Sequence, residues 1–219
     1  MRYRKIPDET VRRLPVYLRG AMHLSQGGIE RTSSKELADL LGVEPCQIRK
    51  DFSYFGDFGT RGVGYDLRSL VTRINKILRL NVGHRAALVG VGNLGSALLS
   101  FPGFRMYGLE IAAAFDIDRR KIGRRKAGVL VEDVTSLRCL NGRGIHLGII
   151  AVPETASQEV AEALVNAGVK GILNFAPRYI VVSRGVKLIT IDIAMDLARL
   201  PYYVPAGRAV EHTSLVARP

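Results

Sequence analysis

The six residues Gly90-Val-Gly-Asn-Leu-Gly95 constrain the fold of this chain more than any other segment. The apolar run Ala86-Ala-Leu-Val precedes them, and the helical stretch Ser96-Ala-Leu-Leu-Ser-Phe101 follows. A G-x-G-x-x-G motif between a buried strand and a helix is the fingerprint of a dinucleotide-binding βαβ unit. Its glycines permit the turn, let backbone approach a pyrophosphate and let the helix pack closely on the strand. The motif therefore predicts a Rossmann domain, an α/β fold with a doubly wound parallel sheet.

A carboxylate follows where such a domain binds the adenosine ribose. Residues 111–115 indicate a second buried strand, and Asp116 comes directly after it. An acid at this position accepts hydrogen bonds from the ribose hydroxyls and repels a 2′-phosphate, which favours NAD(H) over NADP(H). Arg119, Arg120 and Lys121 follow closely and could accept that phosphate. The residues alone therefore leave NADP(H) open.

Apolar runs predict further strands over 145–152, 171–175 and 187–191, with a helix over 156–167. Ligands of doubly wound sheets bind beyond the carboxyl ends of the strands. The residues expected to contact a dinucleotide are therefore Gly90, Val91, Gly92, Asn93, Leu94, Gly95, Asp116, Pro153 and Asn174.

Residues 1–82 follow a helical pattern instead. The first helix contains Pro15, which should kink it or remove one hydrogen bond. Ser33-Ser-Lys-Glu36 is a capping box that opens a second helix, and Gly42 ends that helix. A third helix is predicted over 45–55 after a short turn, so the segment resembles a helix-turn-helix.

The third helix has an apolar stripe and a polar side. Ile48, Phe52 and Phe55 share one face and should be core. Long or hydrogen-bonding side chains outside that stripe can contact base edges and phosphates. Free amides at the start of the second helix could hold a phosphate. The candidate DNA contacts are Gln47, Arg49, Lys50, Ser53 and Tyr54, together with Ser33 and Ser34.

A glycine-rich segment follows the third helix. Four glycines within residues 56–65 predict a tight β-hairpin, with Arg61 at its tip and Gly62 beside it. A slim hairpin that carries an arginine fits the minor groove of DNA. Helices and hairpin together predict a winged helix that binds DNA, and a winged helix that makes protein contacts is the alternative.

Charge and composition agree with a polyanionic partner. The net charge is +12 and the isoelectric point about 10.1, which favours nucleic acid or an anionic membrane surface as partner. No apolar run reaches the length of a membrane span. Cys46 and Cys139 lie far apart, which argues against a disulfide framework and suits a cytoplasmic protein.

No catalytic set is evident from the sequence. The histidines are His23, His84, His146 and His212, and none falls at the carboxyl end of a predicted strand, where hydride transfer would need a base. We therefore expect no catalytic residues, no metal site and a domain that senses a dinucleotide rather than converting it.

Several blocks resemble the Rex family of bacterial redox-sensing repressors. They include Arg49-Lys-Asp-Phe-Ser-Tyr-Phe-Gly56, Gly59-Thr-Arg-Gly-Val-Gly-Tyr65, Phe115-Asp-Ile-Asp118, Ala151-Val-Pro153 and Asn174-Phe-Ala-Pro177. The resemblance covers about residues 7–203. The change of pattern places the winged helix at 1–82 and the Rossmann domain at 83–192, and the tail over 205–219 lacks clear periodicity. The resemblance implies that residues 193–204 form a helix swapped between subunits.

The resemblance also implies a function. A homodimer would bind a palindromic double-stranded operator through Arg49 and Lys50, with Arg61 in the minor groove, and NADH would release it. Arg19 and Asp192 match positions that pair between domains in the family. By the same resemblance, the dinucleotide contacts extend to Phe101, Ile117, Asp118, Val152 and Asp192.

Two residues depart from the family pattern. Phe101 stands where relatives often have tyrosine, which removes a hydroxyl near the nicotinamide. Pro201 lies inside the expected swapped helix and should shorten or kink it. Charge chemistry alone leaves open whether NADH or NAD⁺ is the stronger ligand, and the resemblance favours NADH.

Two other functions remain from the residues themselves. One is an NAD-dependent oxidoreductase with an added winged helix, and it would need a base that is not apparent. The other is a CoA-binding module, since related Rossmann domains bind CoA. Asp116 at the ribose position favours NAD over CoA.

Overall fold

The computed structural model describes residues 6–60 and 62–204. The chain divides into two compact units after Gly83, and Met106–Gly108 belongs to the first unit. The predicted boundary is one residue earlier, and the assignment of residues 106–108 to the first unit was not predicted. Arg61 and the tail over 205–219 lie outside the described residues.

The first unit consists of four helices and a two-stranded sheet. Its elements are α1 (Asp8–Gln26), β1 (Arg31–Thr32), α2 (Ser34–Leu41), α3 (Pro45–Ser53), β2 (Tyr65–Asp66) and α4 (Leu67–Ile77). β1 and β2 pair antiparallel. The helices enclose one apolar core that includes the fully buried Leu14, Leu18, Leu37, Ile48 and Leu70.

Local chemistry explains the ends of these helices. In the α2 capping box, the Glu36 amide donates to Ser33 Oγ at 3.1 Å and the Ser33 amide donates to Glu36 Oε2 at 2.7 Å. Gly42 ends α2 in the left-handed conformation, with φ of 66°. α1 continues through Pro15 without interruption, and α3 ends two residues before the predicted Phe55.

The predicted hairpin over 56–65 is only partly right. Among the described residues it contains one bridge, Thr60 to Gly64, while β2 pairs with β1 instead. Gly64 has φ of 84°, and a Cβ there would overlap the Thr32 carbonyl oxygen, so close backbone approach decides this pairing. Helix α4 was not predicted from the sequence. Its N-cap is Asp66, which accepts a hydrogen bond from the Ser69 amide at 2.8 Å.

The second unit is a seven-stranded sheet in the order β5-β6-β4-β3-β7-β8-β9. Its strands are β3 (His84–Val89), β4 (Leu109–Asp116), β5 (Arg125–Lys126), β6 (Val129–Asp133), β7 (Leu147–Ile150), β8 (Gly171–Asn174) and β9 (Lys187–Thr190). All neighbours pair in parallel except β5 and β6. Without β5, this is the strand order of a Rossmann fold, with its topological switch point beside β3.

Helices and short turns connect the strands. The α-helices are α5 (Asn93–Ser100), α6 (Ser157–Asn166) and α7 (Ile193–Ala198). A 3₁₀ turn over Leu200–Tyr203 follows α7, so the helix predicted over 193–204 is too long. Pro201 lies in that turn and cannot donate the hydrogen bond that would continue the α-helix. No helix in the described part of the chain is long and apolar enough to cross a membrane.

Both faces of the central strand β3 are buried. Ala87 and Val89 pack on one side of the sheet with Phe115, and Leu88 packs on the other side with Ile149. A strand that is buried on both faces reads as a continuous apolar run, which is why its position could be predicted. The carboxyl end of β3 opens directly into the glycine motif.

Candidate functional site

The three motif glycines occupy three different environments. Gly90 follows β3 with φ of 95°, and a Cβ there would overlap the Ala151 carbonyl oxygen. A Cβ at Gly95 would overlap the carbonyl oxygen of Gly90, so this glycine brings α5 onto the strand. Gly92 caps α5, and a Cβ there would meet nothing within 4 Å. The turn therefore leaves open space at the helix N-terminus, which fits a pyrophosphate.

The Asp116 carboxylate stabilises this turn through hydrogen bonds. It ends β4, is only 6% exposed, and its Oδ2 accepts hydrogen bonds from the Val91 amide at 2.8 Å and from Lys121 Nζ at 2.9 Å. Its Oδ1 accepts one from the Asp118 amide at 2.8 Å. Burial raises the pKa of the Asp116 carboxyl, but these hydrogen bonds outweigh burial and lower it. The carboxylate is ionised at neutral pH and holds the glycine turn in place.

The basic residues after β4 are largely committed to carboxylates. Arg120 makes two hydrogen bonds to Asp118, at 3.0 and 2.9 Å, and Lys121 binds Asp116. Arg119 is exposed. Two of the three cations that could have received a 2′-phosphate are thus paired, which favours NAD(H) over NADP(H).

The other predicted dinucleotide contacts differ in how accessible they are. Ile117 is 78% exposed beside the strand end, and Phe101 is 56% exposed, with its ring edge-on to Phe104. Val152, Pro153 and Leu94 are at least partly exposed, at strand and helix ends. The Asp192 carboxylate caps α7 by accepting from the Met195 amide at 3.0 Å.

Asn174 has a structural role that was not predicted. Its side chain is fully buried, its Nδ2 donates to the Ala176 carbonyl and its Oδ1 accepts from the Ala176 amide, both at 2.9 Å. The side-chain amide therefore shapes the 174–176 turn, and contact of Asn174 with the ligand stays a prediction. A polar residue at the end of a strand could not reveal this from sequence.

Helix α3 presents a polar side that includes two cations. Arg49 and Lys50 are exposed, whereas Ile48 and Phe52 on the opposite side are buried. Arg49 Nη1 donates to Ser34 Oγ at 2.9 Å, which orients the guanidinium. The hydroxyl of the exposed Ser53 donates to the Lys50 carbonyl, and Tyr54 is half-buried. These positions are typical of a helix that reads DNA.

The predicted phosphate site at the start of α2 is wrong for Ser33. Its amide donates to the Glu36 carboxylate, so it is not free, and the same carboxylate places negative charge where a phosphate would bind. Hydrogen bonds from Ser33 and Thr32 lower the pKa of Glu36 and keep it ionised. Ser34 contributes its hydroxyl to Arg49 instead.

A buried carboxylate on α3 was not predicted from the sequence. Asp51 is fully buried and accepts hydrogen bonds from Thr10 Oγ1 at 2.9 Å, Tyr17 Oη at 2.6 Å and Gln47 Nε2 at 3.0 Å. Arg13 adds two more, from Nε at 2.6 Å and Nη2 at 2.8 Å. Burial raises the pKa of Asp51, but the hydrogen bonds from Arg13, Tyr17 and Thr10 outweigh it and hold the pKa at about 2. Asp51 flanks the Ile48 and Phe52 stripe, and that spacing was the available signal.

Among the described residues, no group of three or more His, Cys, Asp or Glu side chains could hold a metal ion. The geometry that the structure does show is a helix N-terminus open to a pyrophosphate in one unit and a basic helix in the other.

Two family models match the two units. The model described as "CoA binding domain" matches residues 83–178, and the one described as "Putative DNA-binding protein N-terminus" matches residues 5–53. The two matches follow the division of the chain into a Rossmann unit and a helical unit.

Named relatives match nearly the whole chain. The redox-sensing transcriptional repressor Rex of Desulfitobacterium hafniense is 44% identical over 210 residues, which is 95% of this chain and all of that protein. The Rex of Streptomyces avermitilis is 43% identical over 203 residues, covering 92% of this chain and 81% of the relative.

Solved structures agree with these relatives. The structure of RSP in complex with β-NAD⁺ and operator DNA superposes with a TM-score of 0.86 at 34% identity, covering 91% of this chain and 93% of RSP. RSP in complex with β-NADH gives a TM-score of 0.83 at 32% identity, covering 91% and 94%. RSP is described as a Rex-family repressor. By sequence over nearly its whole length and by the fold of both units, this chain belongs to the Rex family of redox-sensing transcriptional repressors.

Proposed function

We propose that this protein is a transcriptional repressor that binds operator DNA through its helical unit and responds to the NADH/NAD⁺ ratio through its Rossmann unit. The observation that carries the proposal is the open turn at Gly92, braced by Asp116, in the same chain as the basic face of α3. The relatives named as repressors and the RSP complexes with NAD⁺, NADH and operator DNA support it. The protein acts as a regulator rather than an enzyme.

The dinucleotide binds across the glycine turn. The α5 N-terminus supplies amides and a partial positive charge to the pyrophosphate, since no side chain occupies the space at Gly92. Asp118 presents a partly exposed carboxylate on the ribose side, next to the buried Asp116 that holds the turn, while Ile117 offers an apolar surface for the adenine. NAD(H) supplies the redox signal through the charge of its nicotinamide ring when bound.

Operator DNA binds the exposed side of α3. Arg49 and Lys50 reach base edges in the major groove, and the neighbouring Ser53 and Tyr54 contact the backbone. Arg61 lies outside the described residues. Contact of Arg61 and the adjacent Gly62 with the minor groove stays a prediction. A repressor of this kind works where the chromosome is, so we place it in the cytoplasm.

A homodimer is the proposed functional state. Helix α7 and the turn after it expose a contiguous set of apolar side chains, which is unfavourable in water. Their exposed fractions are 64% for Ile193, 65% for Met195, 65% for Leu197, 54% for Leu200, 87% for Tyr202 and 76% for Tyr203. Burial against a second copy removes that surface from water. Two-fold symmetry then matches a palindromic operator with half-sites about 34–36 Å apart or a multiple of that distance.

The switch requires that ligand binding favour one arrangement of the dimer. We propose that Arg19, exposed on α1, and Asp192, at the start of α7, pair in one of the two arrangements. Moving the population from 99:1 to 1:99 needs about 5.5 kcal/mol of differential binding. Two NADH molecules per dimer would supply about half of that each, within ordinary coupling energies.

A gel-retardation assay, which measures how the protein slows the migration of operator DNA, tests the function directly. A palindrome selected from a pool is titrated with protein at several NADH:NAD⁺ ratios at constant total dinucleotide. We expect rising NADH to release the DNA, and the Gly95→Ala variant to hold DNA at every ratio. Equal retention by the wild-type protein at all ratios would contradict the sensing function.

A CoA-binding module is the second candidate, because the family model that matches residues 83–178 is described by CoA binding. Thermal shift with NADH, NAD⁺, NADPH and CoA separates the candidates. We expect NADH to raise the melting temperature most, and stabilisation by CoA alone would favour the second candidate.

A further inference from the structure

One buried carboxylate connects two helices of the DNA-binding unit. Asp51 lies on α3, and its partners Thr10, Arg13 and Tyr17 all lie on one face of α1. Arg13 binds both carboxylate oxygens, through Nε at 2.6 Å and Nη2 at 2.8 Å. Every buried side-chain polar atom in the described residues has a hydrogen-bond partner, so this network is complete.

The choice of a carboxylate here indicates a geometric role. A buried ion pair is often no more stabilising than apolar side chains of the same volume, because both charges must leave water. What it adds is direction, since a guanidinium that binds two oxygens fixes the plane of the carboxylate. The apolar contacts of Ile48 and Phe52 hold α3 on the core, but they do not fix its rotation as tightly.

Rotation of α3 determines where its cations lie. Arg49 and Lys50 immediately precede Asp51 and project from other sides of the helix. At a radius of about 5–6 Å, a rotation of about 10° moves a side chain by about 1 Å. Hydrogen bonds to base edges tolerate only about 0.5 Å of variation in length. Contacts to phosphates depend on distance less steeply, because their charge interactions are long-range.

Gln47 belongs to the same network. Its side chain is half-buried, and its Nε2 donates to Asp51 Oδ1 at 3.0 Å. The amide that was expected to read a base is therefore held against the carboxylate, one helical turn before Asp51. Its role is to complete the hydrogen bonds of Asp51.

We propose that Asp51, held by Thr10, Arg13 and Tyr17, is a positioning residue for operator recognition that fixes the rotation of α3 and hence the placement of Arg49 and Lys50. The proposal rests on the proposed function of α3 in reading DNA. It predicts that loosening the network reduces sequence discrimination more than it reduces general affinity for DNA.

The test compares full-length wild-type protein and Asp51→Asn with NAD⁺ present, on the selected palindrome and on a scrambled duplex. We expect the affinity of the variant for the palindrome to fall at least tenfold. Its affinity for the scrambled duplex and the slope of binding against salt should stay within twofold, because phosphate contacts remain. An unchanged ratio of the two affinities would overturn the proposal.

Tyr17→Phe keeps the test decisive if Asp51→Asn fails to fold, because it removes a single hydroxyl. Its matched control is Ile74→Val, a fully buried position on α4 that trims the core without touching the network. We expect Tyr17→Phe to lower the ratio of palindrome affinity to scrambled-duplex affinity at least threefold. Ile74→Val should leave this ratio unchanged when the two variants lose the same amount of melting temperature. Equal ratios for both variants would show a purely stabilising role. A wild-type protein that binds no palindrome would instead refute the proposed function.

Discussion

Asp51→Asn should also remove part of the pH dependence of stability of the DNA-binding unit. Hydrogen bonds from α1 hold the pKa of Asp51 at about 2 in the folded protein, below its ordinary value of 3.8. A carboxyl with a depressed pKa contributes stability above its unfolded pKa, and that contribution is lost as the pH falls toward the folded pKa. Asparagine carries no titrating proton, so the variant lacks this contribution at every pH.

The size of the effect follows from the displacement of the pKa. A shift of one unit corresponds to 1.36 kcal/mol, so the move from 3.8 to about 2 corresponds to about 2.5 kcal/mol at neutral pH. About 0.4 kcal/mol of this remains at pH 2. The difference in unfolding free energy between wild type and variant should therefore shrink by about 2 kcal/mol between pH 6 and pH 2. At neutral pH the variant loses about 3–5 kcal/mol, because Arg13 loses its counter-ion.

Urea denaturation followed by far-ultraviolet circular dichroism measures both quantities across a pH series at fixed ionic strength. Ile74→Val identifies the transition of the DNA-binding unit, since Ile74 is buried there. A difference between wild type and Asp51→Asn that stays constant from pH 6 to pH 2 would refute the reasoning, because Asp51 would then have the same pKa folded and unfolded.

Three further substitutions test the other sites. Gly95→Ala places a Cβ against the Gly90 carbonyl oxygen. It should weaken NADH binding at least 100-fold in calorimetry and leave operator binding intact. Tight NADH binding by this variant would contradict the geometry of the turn. Ser34→Ala removes the hydroxyl that accepts a hydrogen bond from Arg49. It should weaken operator binding by about 0.5–1.5 kcal/mol and leave the dependence of binding on salt unchanged. Full affinity would mean that Arg49 does not need the Ser34 hydroxyl. Leu197→Asp places a charge in the exposed apolar segment and should shift the protein toward monomer in sedimentation velocity, an outcome that a persistent dimer at the same concentration would exclude.

Elements set by local chemistry could be predicted from the sequence. The Ser33–Glu36 capping box and the left-handed Gly42 define α2 through residues that are neighbours in the chain. The glycine turn was predictable for the same reason, since Gly90 and Gly95 contact each other across one turn.

Features that depend on distant partners could not be predicted in the same way. Asp51 stands among basic residues and reads as a surface charge until α1 brings Arg13 to it, 38 positions earlier in the chain. The edge strand β5 consists of two basic residues, and its neighbour β6 has only three apolar residues before Glu132 and Asp133, so neither contains an apolar run long enough to indicate a strand. Ser33 looked like a phosphate site because its amide opens a helix, but a carboxylate three residues later already uses that amide.

The double use of Asp116 limits how the nucleotide preference of this protein can evolve or be engineered. Acceptance of a phosphorylated ribose usually begins with the loss of the acid at this position. Here that loss would also deprive the Val91 amide and the Lys121 ammonium group of their acceptor, and so loosen the turn that must hold any dinucleotide. A variant with altered preference therefore needs at least one compensating substitution that restores an acceptor beneath the turn, and single substitutions at Asp116 should lose binding of both cofactors rather than exchange one for the other.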